Sequence, residues 1–360
     1  MAWVEKELIA DGVRTMLQVN MGVQKGERIL VLTDVPTSEQ WERMAPEDVE
    51  GMLRRAYLAR LIADLAREFF PECRVRFSTY PSTGRSGVEP PEDAALLLQE
   101  ADVVLAITSF SLSHTEARAA ACRKGARVAS MPRFLPEMLA PDGPMSTDYV
   151  ALASATKAFA DLITAARRVR ITTSAGTDVT FSVEGREGRV DAGLYTKPGS
   201  WGNLPAGEAY CALVEGTAEG RLVVEPSWHA KLTEPLRIQL EAGEVIAVEG
   251  GGSVGESLAE ILDLGHRREA TRPRRMLGEF GIGTNPKARR TDITLEAEKI
   301  RGTIHLAVGD NSHMGGVIVA DYHQDFVFPR PNVWFDDNPV ILGGEWVAPA
   351  VRGTLVGGGD

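Results

Sequence analysis

The first half of the sequence alternates short apolar runs with long amphipathic stretches, and this alternation limits the folds available to the chain. The runs RILVLTD (28–34) and DVVLAITS (102–109) are continuous and apolar, which is typical of parallel strands buried on both faces. Between them, residues 49–70 carry apolar side chains at helical spacing. The same patterns predict helices at 5–23, 91–101, 113–125 and 148–169 and strands at 73–80 and 126–132. Strands that alternate with helices predict an α/β fold with a doubly wound parallel sheet.

Beyond residue 167 the pattern changes to short β runs joined by glycine-rich turns. VRITTSAGTDVTFSVEGR alternates polar and apolar residues around AGTD, which predicts a β-hairpin. Further β runs follow in GRLVVEPS, PLRIQLEAGEVIAVEGG and GTIHLAVGD, and one helix is predicted at 253–265. A chain of 360 residues exceeds what one core usually supports. We therefore predict a Rossmann-like α/β domain over residues 1–167 and a β-rich (α+β) domain over residues 168–360.

The composition argues against several classes of partner. The formal net charge is −11 at pH 7, so neither nucleic acid nor an anionic membrane is expected as the main partner. No run of about 18 apolar residues predicts a membrane span. The stretch MAWVEKELIADGVRT has acids ahead of any apolar run and predicts no secretory signal, so we expect a cytoplasmic protein. The first domain has neither a GxGxxG nor a GxxxxGKS motif, which leaves a nucleotide cofactor unsupported.

The stretch DYHQDFVFPRP places a histidine and a carboxylate two residues apart in a predicted strand that ends before Pro329. Side chains at i and i+2 of a strand point to the same face, so His323 and Asp325 are expected to lie side by side. Three more polar residues occupy apolar or glycine-rich surroundings in the same domain. They are Glu208 in NLPAGEAY, Glu279 in LGEFGIGTNP and His305 in RGTIHLAVGD.

Together these five residues form a plausible set of metal ligands. Buried carboxylates without partners are costly, and a metal ion supplies the compensating charge. Two imidazoles and three carboxylates suit Zn, Co, Mn or Fe(II). Five ligands exceed what one catalytic metal needs, and they suit two ions that share a carboxylate and a water. The alternative is a purely structural pair of His323 and Asp325 that binds no metal.

Several segments of the second domain follow one another in an order that is known from a family. They are GTDVTFSVEGR, NLPAGEAY, EGTAEGRLVV, GEFGIGTNPKAR, EKIRGTIHLAVGDN and HQDFV. In their order and spacing the chain resembles the M29-type metallopeptidases, the group of aminopeptidase T and the thermophilic leucyl aminopeptidases. The resemblance covers the second domain and extends more loosely to the first through MLQVNMGVQKGERILVLTD.

This resemblance implies a homodimeric metallohydrolase that cleaves a peptide or a small amide. The family's ligands for two divalent ions fall on the five residues named above, and the ions (Zn, Co or Mn) would activate water. Glu208 or Glu279 is then the candidate proton carrier. His313, nearby in sequence, is a candidate general acid or an exposed loop residue.

One departure from the family leaves two other functions open. The aminopeptidases carry a tyrosine several residues after the first metal histidine, where this chain reads HLAVGDNSHMGG. The same superfamily contains Fe(II) dioxygenases that open hydroxylated pyridine rings with two histidines and one carboxylate, a set that His305, His323 and Asp325 could form. The retained Glu208 and Glu279 favour the hydrolase. The third alternative is a catalytically silent metal-binding protein on the same scaffold.

A cluster of five arginines lies between residues 267 and 275. On a chain of net charge −11 it is interpreted as a solvated loop, a dimer contact or a lid that attracts an anionic substrate. A nucleic-acid site is the disfavoured interpretation.

Overall fold

The structure is a computed structural model that describes residues 4–354. The helices in this range are α1 (Lys6–Thr15), α2 (Ser38–Arg43), α3 (Pro46–Phe69), α4 (Glu92–Glu100), α5 (Glu116–Arg123), α6 (Tyr149–Ala165), α7 (Gly252–Ile261), α8 (Arg272–Arg275), α9 (Thr294–Ala297) and α10 (Pro349–Arg352). The strands are β1 (Arg28–Val35), β2 (Arg74–Pro81), β3 (Val103–Ala106), β4 (Arg127–Ser130), β5 (Arg168–Thr172), β6 (Asp178–Ser182), β7 (Arg189–Asp191), β8 (Trp201–Asn203), β9 (Glu208–Ala212), β10 (Glu219–Val224), β11 (Leu236–Glu241), β12 (Glu244–Gly250), β13 (Leu277–Gly283), β14 (Ile304–Gly309), β15 (His323–Phe328), β16 (Asn332–Phe335), β17 (Asn338–Leu342) and β18 (Glu345–Trp346). None of these helices combines the length and the hydropathy that crossing a lipid bilayer requires.

The chain divides into two compact units. The first comprises Met1–Tyr149 with Gly193–Ala206, and the second comprises Val150–Ala192 with Gly207–Asp360. The domain boundary predicted between residues 167 and 168 stays a prediction.

The first unit is built on a parallel sheet of order β2-β1-β3-β4-β8. Helices α4 and α5 cover one face through apolar side chains such as Leu98 and Ala121, which pack against Leu30 and Val104 of the sheet. This confirms the predicted α/β class, because the continuous apolar runs do become buried parallel strands. Strand β8 was not predicted, since three residues are too few for a recognisable pattern. The predicted helix at 5–23 is α1 followed by a π-helical turn at Met16–Asn20.

The second unit packs two antiparallel sheets around one core. The larger sheet has the order β12-β11-β10-β6-β5-β16-β17-β18, and the smaller has the order β15-β14-β13-β9-β7. Phe181 of the larger sheet meets Phe280 of the smaller, with ring centroids 5.4 Å apart. Helices α6 and α7 complete the core through residues such as Phe159 and Leu258. The AGTD hairpin is confirmed as β5 and β6.

The arginine cluster is tied into the second unit by acids. Arg267, Arg272 and Arg275 contact Glu244 at 2.8, 3.3 and 2.8 Å. In addition, Arg268 contacts Asp263 at 2.8 Å and Arg274 contacts Asp321 at 2.6 Å. Each guanidinium therefore forms an ion pair with an acid, and the interpretation of the cluster as a solvated loop, a dimer contact or a lid stays a prediction.

Candidate metal centre

The candidate site lies on one face of the smaller sheet of the second unit. Side chains alternate between the two faces of a strand, and one set, which includes Cys211, Phe280, Leu306 and Phe326, enters the core. The opposite face carries the alternate residues of the same strands. They are Arg189 and Asp191 on β7, Glu208 and Tyr210 on β9, Glu279 and Gly281 on β13, His305 and Ala307 on β14, and His323 and Asp325 on β15.

Strand register brings all five predicted ligands to this face. His323 Nε2 lies 3.3 Å from Glu279 Oε2 and 3.5 Å from Asp325 Oδ1. His305 Nε2 lies 3.6 Å from Glu279 Oε1 and 3.4 Å from Glu208 Oε2. The two oxygens of Glu279 thus face different histidines, and the five side chains form a continuous chain of contacts.

The residues beside these ligands on the same face have small side chains. Gly281 stands opposite His305 in the register, and a Cβ at position 281 would lie 2.1 Å from His305 Cε1. Ala212 and Ala307 flank Glu279 on the neighbouring strands. The imidazole of His305 can therefore lie directly across the backbone of β13.

The orientation of His323 is fixed by the backbone. Its Nδ1–H donates a hydrogen bond of 2.8 Å to the carbonyl oxygen of Asp310, and this assignment of the proton follows from the carbonyl being an acceptor only. Nε2 then faces Glu279 and Asp325, and it would present its lone pair to a metal ion once its proton is displaced. A second nitrogen anchored in this way is typical of metal-binding histidines.

The centre opens toward the surface at one end. The side chains of His323 and Asp325 are 20% and 18% exposed, whereas those of Glu208, Glu279 and His305 are 9%, 8% and 1% exposed. A substrate would therefore reach the cluster from the side of β15.

The charges of the cluster are strongly coupled. Burial alone would lower the pKa of His305, but the carboxylates of Glu279 and Glu208 raise it to about 9. Burial likewise opposes ionisation of Glu279, yet the two imidazoles beside it hold its pKa well below its usual range. Burial raises the pKa of Glu208 in spite of nearby cations. Without a metal, the positive charge of the protonated imidazoles therefore balances the carboxylates. A divalent ion would displace these protons and supply the positive charge in their place.

The sequence did not identify two residues next to Glu208. The buried Lys299 Nζ contacts Glu208 Oε1 at 2.6 Å and Glu298 Oε1 at 2.8 Å. Burial raises the pKa of Glu298 to about 8, and the two carboxylates raise the pKa of Lys299 although burial opposes it. In the segment TLEAEKIRG an acid followed by a lysine is typical of a solvated turn, so the sequence contains no signal for this burial.

The geometry fits a metal ion best at Glu279, His323 and Asp325. One ligand atom from each of the three lies within 4.8 Å of the others. Bonds of about 2.0–2.2 Å to one ion leave neighbouring ligand atoms roughly 3.0–3.5 Å apart, and the two contacts of His323 fall in this range. Moreover, Glu208 Oε2 and His305 Nδ1 are buried without a hydrogen bond among the described residues. The assignment of all five residues as ligands stays a prediction.

His313 occupies a different environment from the cluster. It is exposed on a 3₁₀ turn at Ser312–Met314, and its carbonyl oxygen accepts a hydrogen bond from Arg189. Its predicted role as a general acid stays a prediction.

Comparisons with known proteins point to one family. A family model described as 2,5-dihydroxypyridine 5,6-dioxygenase (NicX) matches residues 10–348. A curated 2,5-dihydroxypyridine 5,6-dioxygenase from Pseudomonas putida is 24% identical over 268 residues, which is 70% of this chain and 73% of that protein.

Two solved structures share the fold. The 2,5-dihydroxypyridine dioxygenase of Pseudomonas putida superposes with a TM-score of 0.73 at 19% identity and covers 97% of this chain and 100% of its own. Wild-type AmpT from Thermus thermophilus superposes with a TM-score of 0.63 at 16% identity and covers 95% of this chain and 100% of its own. The resemblance to the M29 aminopeptidases therefore holds for the fold.

The predicted metallohydrolase activity is wrong, as are the predicted terms hydrolase, aminopeptidase, metalloprotease and M29 family. The family model and the curated relative are dioxygenases, which is a different class of reaction. The physical reason is that histidine and carboxylate ligands serve both chemistries, so the order of the motifs identified the scaffold and not the reaction.

Proposed function

Because the chain belongs to the 2,5-dihydroxypyridine 5,6-dioxygenase family, we propose that it is an iron-dependent enzyme that opens a hydroxylated pyridine ring with dioxygen. The observation that carries the proposal is the close grouping of Glu279, His323 and Asp325, since the family's reaction needs a metal and these side chains fit one. We expect one iron per chain.

Glu279, His323 and Asp325 would hold the ion, and His305 lies next to Glu279 on the inner side. Imidazole and carboxylate ligands around open positions are typical of non-haem Fe(II) oxygenases. When bound, ferrous iron supplies the one-electron chemistry through which dioxygen reacts with a ring. The backbone carbonyl of Asp310 keeps His323 Nε2 turned toward the ion.

The family's name defines the bond that breaks. Cleavage between C5 and C6 with both atoms of dioxygen retained converts the hydroxyl-bearing C5 into a carboxylic acid and C6 into an N-formyl group. The ring hydroxyls lose protons along this course. Glu208 Oε2, which is 3.4 Å from His305 Nε2 and accepts no hydrogen bond among the described residues, is positioned to hold one of them.

Oxygen uptake after anaerobic reconstitution with Fe(II) tests the proposal. We expect one iron per chain and one dioxygen consumed for each 2,5-dihydroxypyridine lost, followed as the loss of ring absorbance. Asp325→Asn should lose iron and activity together, whereas Glu345→Gln, which changes an exposed acid on β18, should retain both.

Two results would contradict the proposal. Bound iron without oxygen uptake on any hydroxylated pyridine would favour the catalytically silent metal-binding protein. Failure to bind any divalent metal would leave His323 and Asp325 as a structural pair.

A further inference from the structure

An arginine stands on the same sheet face as the metal cluster, at its far edge. Arg189 belongs to β7, the edge strand next to β9, and its register partner is Tyr210. In the same pairing Asp191 lies opposite Glu208. Because Tyr210 and Glu208 are two residues apart on β9, Arg189 and Glu208 point to the same face.

The guanidinium of Arg189 has few partners within the described residues. Its Nη1 donates a hydrogen bond of 3.2 Å to the carbonyl oxygen of His313, and its Nε is buried with no hydrogen-bond partner. No described carboxylate lies within ion-pair distance of it. The nearby Arg186, by contrast, is paired with Glu215. A partly buried cation with an unsatisfied N–H is costly unless a ligand completes it.

Arg189 also lines an open surface groove of about 650 Å³ in the second unit, which the acids Asp161 and Glu187 line as well and to which none of the five predicted metal ligands contributes. Tyr210 shares this lining, together with Thr164 and Lys157 of α6. The volume lies within the range of pockets that hold a small organic ligand. Lys157 forms an ion pair with Asp161 of the same helix. Arg189 is therefore the cation of this lining that has no ion-pair partner among the described residues.

The spacing of the strands relates this cation to the metal cluster. Strand β7 is two strands away from β13, which carries Glu279, so their backbones are about 10 Å apart. An aromatic ring that reaches the metal through its hydroxyl oxygens could extend a substituent across β9 toward Arg189. A guanidinium binds a carboxylate through two parallel N–H groups.

We infer that Arg189 recognises a carboxylate on the substrate, and that the substrate class is therefore a hydroxylated pyridine that carries a carboxylate group. This inference rests on the proposed function for the identity of the ring. The phenol of Tyr210, beside Arg189, provides a further hydrogen-bond donor to the same group. On a chain of net charge −11, a local cation is also what allows an anionic ring to approach.

Calorimetric titration under nitrogen tests the inference with three probes: 2,5-dihydroxypyridine and its 3-carboxylate and 4-carboxylate derivatives. We expect the iron-loaded protein to bind one of the carboxylates at least about tenfold more tightly than the parent ring. Arg189→Gln should remove this preference and change binding of the parent ring by less than about twofold. Arg189→Lys should retain part of it, because the charge remains and the paired N–H geometry is lost.

Arg237→Gln, which changes an exposed arginine on the larger sheet, is the matched control and should bind like the wild type. If Arg189→Gln does not fold, Arg189→Lys decides by the same comparison. Equal affinity of wild type and Arg189→Gln for all three probes, or no binding of any probe, overturns the inference.

Oxygen uptake with the same probes separates this inference from the proposed function. Turnover without any effect of Arg189 on carboxylate preference would overturn the inference alone. Carboxylate binding that depends on Arg189 without oxygen uptake would overturn the dioxygenase and support recognition by Arg189.

Discussion

Replacing Gly281 by alanine should displace the imidazole of His305. The added Cβ would lie 2.1 Å from Cε1 and 2.2 Å from Nε2 of a buried, rigid ring. Ordinary contact begins near 3.4 Å, so the ring has to retreat by about 1.3 Å, the difference between 3.4 and 2.1 Å. Such overpacking costs about 1–3 kcal/mol in the free energy of unfolding. For a unit of about 200 residues, this lowers the melting temperature by roughly 2–12 °C.

The assay is thermal unfolding of Gly281→Ala, His305→Ala and the double variant. Alanine at position 305 removes the ring, so the double variant should be more stable than the sum of the two single effects predicts, by about 0.5–3 kcal/mol. Gly265→Ala is the control, because nothing lies within 4 Å of a Cβ there. Additive effects, or a Gly281→Ala protein as stable as Gly265→Ala, would refute the placement of His305 over β13.

Further predictions concern the charges of the second unit. Lys299→Met should destabilise the protein by about 3–5 kcal/mol, because the buried carboxyl groups of Glu208 and Glu298 lose the ammonium group that contacts both; chemical denaturation measures this, and a loss below about 1 kcal/mol would contradict it. Arg275→Ala, at a guanidinium that is 2% exposed, should cost more stability than Arg272→Ala, at one that is 49% exposed, and the opposite order would contradict a stabilising role of the buried Arg275–Glu244 pair. The metal-free protein should lose stability as the pH rises from 6.5 to 9. The folded-state pKa values of His305 and Glu298, about 9 and about 8, lie above their ordinary values of 6.5 and 4.5. The folded protein therefore binds these protons more tightly than the unfolded chain does. The resulting stabilisation is complete below the ordinary pKa of each group and is lost as the pH rises through its folded-state pKa. A melting temperature that rises over this interval would show the wrong sign.

Most helices and strands could be predicted from the sequence because their patterns lie within a few neighbouring residues. The apolar runs that became β1 and β3 need only their own composition to indicate burial on both faces. The hairpin of β5 and β6 is specified by its alternation and its turn. Strand β8 depends instead on its pairing with β4, which no pattern within three residues can express.

The candidate site was only partly readable for a related reason. The spacing of His323 and Asp325 is a local signal, and β15 does present both on one face. That Glu279 lies between the two histidines follows from the register of β13 with β14, which is a long-range property. The burial of Lys299 depends on the fold around it and was missed. The reaction class could not be obtained from ligand types that hydrolases and oxygenases share.

Successive side chains on each strand of the smaller sheet point alternately to the core and to the metal face. Residues that stabilise the fold and residues that could bind the metal therefore alternate along one strand. In a systematic mutational scan, substitutions at Phe280 and Phe326 should lower the abundance of the protein, because both residues belong to the core. Substitutions at Glu279 and Asp325, one position away, should instead leave a folded protein with altered metal chemistry. Evolution can therefore change one set while conserving the other. This independence offers a physical route by which proteins as different in reaction as a pyridine dioxygenase and AmpT come to share one scaffold.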